Sequence, residues 1–244
     1  MSTLRVMSYQ VNCCTGGRGE PTTDLCARVI ASQSPDLVFL QQVGSRRDPC
    51  QLYQLANLLN MKPFGLGQER ACCFLSRHPL RSLQDYSLGE DGSCLRADLD
   101  YSGQRLHLFN VSLGFNPLHR KQQIDALLGE ELLGNPALPC AALVAGDFSL
   151  PLWGAGQIRL GSCLTRAPQP LWRANFPADF PLWGRDRFYF RGGITALAGT
   201  VVSTPEARRA STHLPLVLTV EQAENRNFLR LKEVPRGRMK PATG

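Results

Sequence analysis

Ala141-Ala142-Leu143-Val144-Ala145-Gly146-Asp147-Phe148-Ser149 constrains this chain more than any other stretch. An apolar run ends abruptly in Gly-Asp. Such a run reads as a buried strand that delivers one carboxylate to its carboxyl end, where open sheets expose their reacting groups. Gly146 lets another backbone or a ligand come close. Asp also ends strands as an ordinary turn residue, so the rest of the chain decides what Asp147 is for.

In chain order, residues 4–12 read as a first strand. Gln10 and Asn12 are placed on one side of it by extended alternation. Residues 22–33 carry Leu25, Cys26, Val29 and Ile30 at helical spacing, and Ser34-Pro35 breaks that helix. Leu37-Val38-Phe39-Leu40 is a second buried strand that closes on Gln41-Gln42. Asp48-Pro49 opens a helix with an apolar stripe of Leu52, Leu55, Ala56 and Leu59. A third strand, 71–75, runs into Ser76-Arg77-His78-Pro79.

Strands at about 94–100 and 105–112, joined through Tyr101-Ser102-Gly103-Gln104, form a hairpin. Asn116-Pro117 caps a helix whose inner face is Ile124, Leu127, Leu128 and Leu132. Residues 150–184 read as long loops rich in Pro, Gly and Trp. Strands follow from Arg185-Asp186 and after Ser211-Thr212-His213. Strands and helices in this order make one α/β domain on a mixed or largely antiparallel sheet, or on two packed sheets. It spans 1–221, and 222–244 is a basic tail.

Charge and cysteine content narrow the function classes. The formal charge is +7, and residues 221–244 hold six Lys/Arg against three Glu. That excess permits a polyanionic partner without demanding one. The nine cysteines include no Cys-x-x-Cys pair, which argues against a zinc site and for reduced thiols in a cytoplasmic protein. No run approaches the ~18 apolar residues of a membrane span, and no signal-peptide core follows the first residues.

The polar residues at the strand ends, taken together, resemble the endonuclease/exonuclease/phosphatase superfamily. The matching segments, in the superfamily's order, are Leu4–Asn12, Pro35–Val43, Leu75–Pro79, Phe109–Leu113, Arg120–Gln123, Gly146–Ser149, Arg185–Tyr189 and Ser211–Pro215. The resemblance implies a DNase-I-like α/β (α+β) fold: a four-layer sandwich of two packed mixed β-sheets flanked by helices. It also implies cleavage of phosphate esters with Mg²⁺ or Mn²⁺, the site lying at one rim. On this resemblance Asp147, Asp186 and His213 are the catalytic residues, with Asp186 orienting His213. Gln10, Arg77, Asn110, Ser112 and Ser149 would bind phosphate or substrate, and Gln42 and Asn12 stand at the metal positions.

The sequence departs from the superfamily's pattern at Gln10, Asn12, Gln42, Ser112, Ser149 and Thr212. The positions around the cation, 12, 42 and 212, are all neutral. Mg²⁺ is usually held by one or two carboxylates plus substrate phosphates. Each lost carboxylate removes several kcal/mol of attraction at ~4 Å and an effective dielectric constant of about 20. The expected function is therefore a degenerate phosphoesterase site whose pocket takes a phosphate-containing ligand. Two alternatives stand beside it. One is an active phosphodiesterase, phosphatase or nuclease with a weakly held metal. The other is a nucleic-acid-binding module using the basic tail and the tryptophans 153, 172 and 183.

Overall fold

The structure is a computed structural model. It describes residues 3–44, 50–65, 72–138, 140–149, 155–168 and 174–222. The elements in order are β1 (Thr3–Gln10), α1 (Thr23–Gln33), β2 (Leu37–Gln41), α2 (Cys50–Leu59), β3 (Lys62–Phe64) and β4 (Cys73–Ser76). They continue with β5 (Leu80–Gly89), β6 (Gly92–Tyr101), β7 (Gln104–Ser112), α3 (Pro117–Leu128), β8 (Ala141–Asp147) and α4 (Ala155–Cys163). The last are β9 (Thr165–Arg166), β10 (Asp186–Arg191), β11 (Ile194–Val201), α5 (Pro205–Ala210) and β12 (Leu216–Gln222).

Two six-stranded sheets form, in the orders β11-β12-β1-β2-β4-β3 and β5-β6-β7-β8-β10-β9. Strand alternation sorts the core into layers. Leu4, Val6, Leu37 and Phe39 of the first sheet meet Leu106, Leu108, Leu143, Ala145 and Phe188 of the second. The first sheet's other face, with Met7, Tyr9, Val38 and Leu40, is covered by α1, α2 and α5. The second sheet's other face, with Phe109, Val111, Ala142, Val144 and Tyr189, is covered by α3 and α4. This is the four-layer sandwich. Because both faces of the central strands are covered, β2 and β8 are buried at every position.

Most of the expected elements form close to their sequence limits. Asn116 caps α3 by accepting from the Leu118 N–H at 3.0 Å, with Pro117 in the first turn. Along its inner face Ile124 and Leu127 are buried; Leu128 is only partly so, and Leu132 is buried in the turn beyond the helix. None of the nine cysteines forms a disulfide. Asp48-Pro49, Ala71, Trp153, Trp172 and the tail beyond Gln222 lie outside the described residues.

Several expectations are corrected. The region 150–184 is not only loop, since it contains α4 and β9. β3, β5, β11 and α5 have no counterpart in the sequence reading. β5 and β11 are sheet-end strands, mostly exposed and interrupted by register shifts, so they lack a sustained apolar pattern. β1 ends at Gln10 rather than continuing through Asn12. Asn12, Cys13 and Cys14 make a tight turn with φ of 51°, 54° and 48°, which breaks the extended alternation. Asn12 therefore does not share the face of Gln10.

Candidate active site

Strand direction gathers the site. β1 and β2 run parallel, as do β7 and β8, and all four end at one rim of the sandwich. β10 and β12 run antiparallel to these neighbours and begin at that rim. Register then puts Ser112 beside Asp147 and Asp147 beside Asp186. Gly146 makes this register possible. Its φ is +142°, and a Cβ there would lie 1.8 Å from the Val111 carbonyl oxygen. Only glycine lets β8 pass β7 this closely.

His213 precedes β12 and meets Asp186 across the gap between the sheets, with Nδ1 2.6 Å from Oδ2. Both side chains are 1% exposed. Asn175 sets the carboxylate's position. Its Nδ2 donates to the same Asp186 oxygen and to the Leu214 carbonyl, and its Oδ1 accepts from the backbone N–H of Arg185 and Asp186. Phe176 packs its ring 4.7 Å from the His213 ring centre.

Asp147, 1% exposed, is engaged at both oxygens. Its Oδ1 accepts from the Ser149 N–H at 2.8 Å and the Ser149 hydroxyl at 3.0 Å. Its Oδ2 accepts from Arg185 Nη2 at 2.9 Å, and the same Nη2 donates to Ser149 Oγ at 2.6 Å. The Arg185 guanidinium lies 4.4 Å from the Phe115 ring centre and 4.5 Å from that of Phe176. Arg120 donates to the Ser149 carbonyl. Burial pushes the Asp147 carboxyl above the ordinary carboxylate range, and the Asp186 charge adds to this; His213 and Arg185 oppose it.

Asn110 bridges the sheets. Its Nδ2 donates to the Leu40 and Cys73 carbonyls at 2.9 and 2.8 Å, and its Oδ1 accepts from Gln41 Nε2 at 2.7 Å. Both its amide protons are therefore used within the protein. Gln10 is buried at the rim with Oε1 unpartnered, and Ser211 Oγ donates to its carbonyl.

Of the other sequence-derived site residues, Arg77 is not brought to this rim, and Asn12 and Gln42 follow the strand ends there without a side-chain bond to the cluster. Arg77 follows β4, which is antiparallel to β2, so it lies at the opposite rim. There its N–H donates to the Asp36 carbonyl and its Nε to that of Pro35, while Asp36 also accepts from the Arg5 N–H. Arg5 precedes Gln10 by five residues along β1, about 17 Å at ~3.4 Å per residue. Asn12 spends its amide on the Thr15 carbonyl at 3.1 Å. Gln42 has φ +55°; its carbonyl accepts from the Cys13 N–H, and its side chain bonds no described residue. The buried glutamine that reaches the other sheet is its neighbour Gln41. Among the described residues, no group of three or more His, Cys, Asp and Glu is placed to hold a metal ion.

Sequence reasoning missed Arg185, Asn175, Gln41 and Arg120 as site members. Arg185 adjoins Asp186, and strand alternation hides its approach because it stands just before β10 begins. Asn175 carried no signal within a loop-rich region.

A four-layer sandwich with a buried His–Asp pair and a Gly-Asp carboxylate on one rim is a DNase-I-like phosphoesterase fold. The profile of the Endonuclease/Exonuclease/phosphatase family matches residues 7–213, most of the chain, and the chain belongs to this family. The fold is similar to that of the endonuclease/exonuclease/phosphatase from Beutenbergia cavernae DSM 12333, with 19% identity and a TM-score of 0.69 over 91% of this chain and 72% of that one. D. rerio TDP2 complexed with a single strand DNA product is similar at 17% identity and a TM-score of 0.73, covering 91% of this chain and 100% of that one. The Bacteroides thetaiotaomicron VPI-5482 mannosyl-6-phosphatase is similar at 16% identity and a TM-score of 0.73, covering 89% of this chain and 99% of that one. A sequence comparison with curated proteins gave no match. Among the described residues no helix is long and apolar enough to cross a membrane.

Proposed function

We propose that this chain is a family member with a degenerate phosphoesterase site, which recognises a phosphate-bearing ligand and has little or no metal-dependent hydrolytic activity. The carrying observation is the engagement of Asp147 by Arg185 and Ser149. A carboxylate that orients or deprotonates an attacking water needs a free oxygen directed at that water. Here one oxygen accepts twice from Ser149 and the other is ion-paired.

The donor set supports the same reading. Members of this family generally use a divalent metal, and a hard cation needs anionic oxygen. Asn12, Gln42 and Thr212 offer none, and Asn12 has turned away into its own loop. These residues do not fit a resident Mg²⁺ or Mn²⁺. His213 and Asp186 retain a geometry that can present an imidazole nitrogen to a phosphoryl oxygen. The domain layout of 1–221 with a basic tail, and a cytoplasmic location, belong to this proposal.

The test is hydrolysis of bis(4-nitrophenyl) phosphate and 4-nitrophenyl phosphate with Mg²⁺, Mn²⁺ or EDTA. Wild type and Asp147→Ala should be indistinguishable. Metal-dependent turnover that vanishes in Asp147→Ala overturns the proposal in favour of an active phosphodiesterase or phosphatase. The 2.6 Å His213–Asp186 contact favours that second reading. Metal-dependent activity that appears only when Gln42→Glu is combined with Thr212→Asp supports the first reading; activity already present in the natural chain supports the second. A nucleic-acid module is the third reading. It is supported by exposed Phe115, Phe180 and Trp183 and by the DNA-bound TDP2 neighbour. Salt-dependent binding that disappears on deletion of 222–244 would establish it.

A further inference from the structure

We propose that Arg185 is the resident cation of this site, and that the site takes a phosphoryl group through Arg185 and Arg120 without a divalent metal. The inference rests on the reading that the site binds a phosphate-bearing ligand. It goes further by naming what supplies the positive charge.

The Arg185 guanidinium is held rather than free. Nη2 is anchored on Asp147 and Ser149, two phenyl rings lie against the guanidinium, and the residue is 8% exposed. Of its remaining donors, Nε is buried without a partner and Nη1 bonds no described residue. A buried N–H lacking an acceptor is costly, and an oxyanion supplies one.

A second guanidinium stands beside it. Arg120 donates to the carbonyl of Ser149, the residue whose hydroxyl holds Arg185. Burial lowers the Arg120 pKa and the Arg185 charge lowers it further, as expected of two cations sharing one carboxylate. Two guanidiniums stand at Asp147, while the neighbouring carboxylate Asp186 is engaged by His213 and Asn175. His213 pairs with Asp186 through Nδ1, and Nε2 bonds no described residue. A phosphoryl group, with several acceptor oxygens, is complementary to this set of donors. A divalent cation at Asp147 would instead face the Arg185 charge at close range.

The experiment is calorimetric titration of the full chain with inorganic phosphate, phenyl phosphate and diphenyl phosphate, in EDTA and in Mg²⁺. Saturable binding of at least one probe, equal in both buffers, is expected. Arg185→Met and Arg120→Met should each weaken it about tenfold or more, the effect of losing a charge-assisted hydrogen bond. Arg185→Lys should recover part of the loss. Phenyl phosphate against diphenyl phosphate separates a terminal phosphate from a bridging one. If Arg185→Met fails to fold by circular dichroism, Arg120→Met and Arg185→Lys decide. Binding that requires Mg²⁺, or that survives both Met substitutions, overturns the inference and leaves the ligand-binding reading standing. Binding of no probe in either buffer overturns both.

Discussion

Two buried His–Asp pairs with nearly the same geometry stand in different parts of this molecule. His213 Nδ1 lies 2.6 Å from Asp186 at the rim between the sheets, and His107 Nδ1 lies 2.7 Å from Asp98 on the second sheet. The second pair is local, because Asp98 and His107 face each other across the β6–β7 hairpin. Arg96 completes it, donating to Asp98 at 3.1 Å and to Gln84 at 2.7 Å. His107 Nε2 is buried with no partner, so that imidazole engages Asp98 through Nδ1 and presents nothing to a ligand. The rim pair instead adjoins a second carboxylate, two guanidiniums and the meeting point of several strand ends. A short His–Asp distance therefore does not identify a site. What distinguishes the rim pair is the set of groups that tertiary structure places around it.

The expected effects run from the scaffold of the rim pair to its electrostatics. Gly146→Ala should be the most damaging substitution. The added Cβ would fall 1.8 Å from the Val111 carbonyl, and relieving this means parting β7 from β8. A loss above ~4 kcal/mol, or failure to fold, is expected in urea denaturation. Normal stability would mean that β7 and β8 can part at Gly146 without loss.

Arg185→Met leaves the buried Asp147 carboxylate without its cation and should cost about 3–5 kcal/mol. Arg96→Met should cost less, about 1–3 kcal/mol, because Asp98 keeps His107. Equal losses in denaturant titrations would erase the contrast between the two regions. For binding, His213→Gln should weaken phosphate roughly tenfold. His107→Gln should leave affinity unchanged. An effect at His107 would show that the hairpin pair communicates with the rim.

The smallest expected effect is on pH dependence. The Asp147 carboxyl is raised in the folded protein, so in the window from about pH 4 upward to its folded value the native state holds a proton that the unfolded chain has released. Stability from this group therefore falls as pH rises through that window. The stability difference between wild type and Asp147→Asn should shrink as pH rises above about 4. A difference that grows with pH would mean that Arg185 outweighs burial.

Much of this was legible along the chain. The runs at 37–41 and 141–147 had to be strands covered on both faces, since nothing polar interrupts their middles. Even the Asp98–His107 pairing follows from the hairpin turn at 101–104, because antiparallel register counts outward from the turn. Order along the chain, and the residue types at the strand ends, also pointed to the family.

Direction and reach were not legible. Arg77 ended a strand as plausibly as Gln42 did, but antiparallel pairing of β4 sends it to the far rim. Gln41 and Gln42 are neighbours, and the change from extended backbone to φ +55° decides which one enters the space between the sheets. Asn175, Arg185, Asp186 and His213 span 39 residues of sequence and meet only when the two sheets close on each other. Local sequence determined the strands, the caps and the carboxylate at Asp147, because those depend on neighbouring residues. Whether that carboxylate faces water or a guanidinium is set by packing between distant segments, and only the tertiary structure decided it.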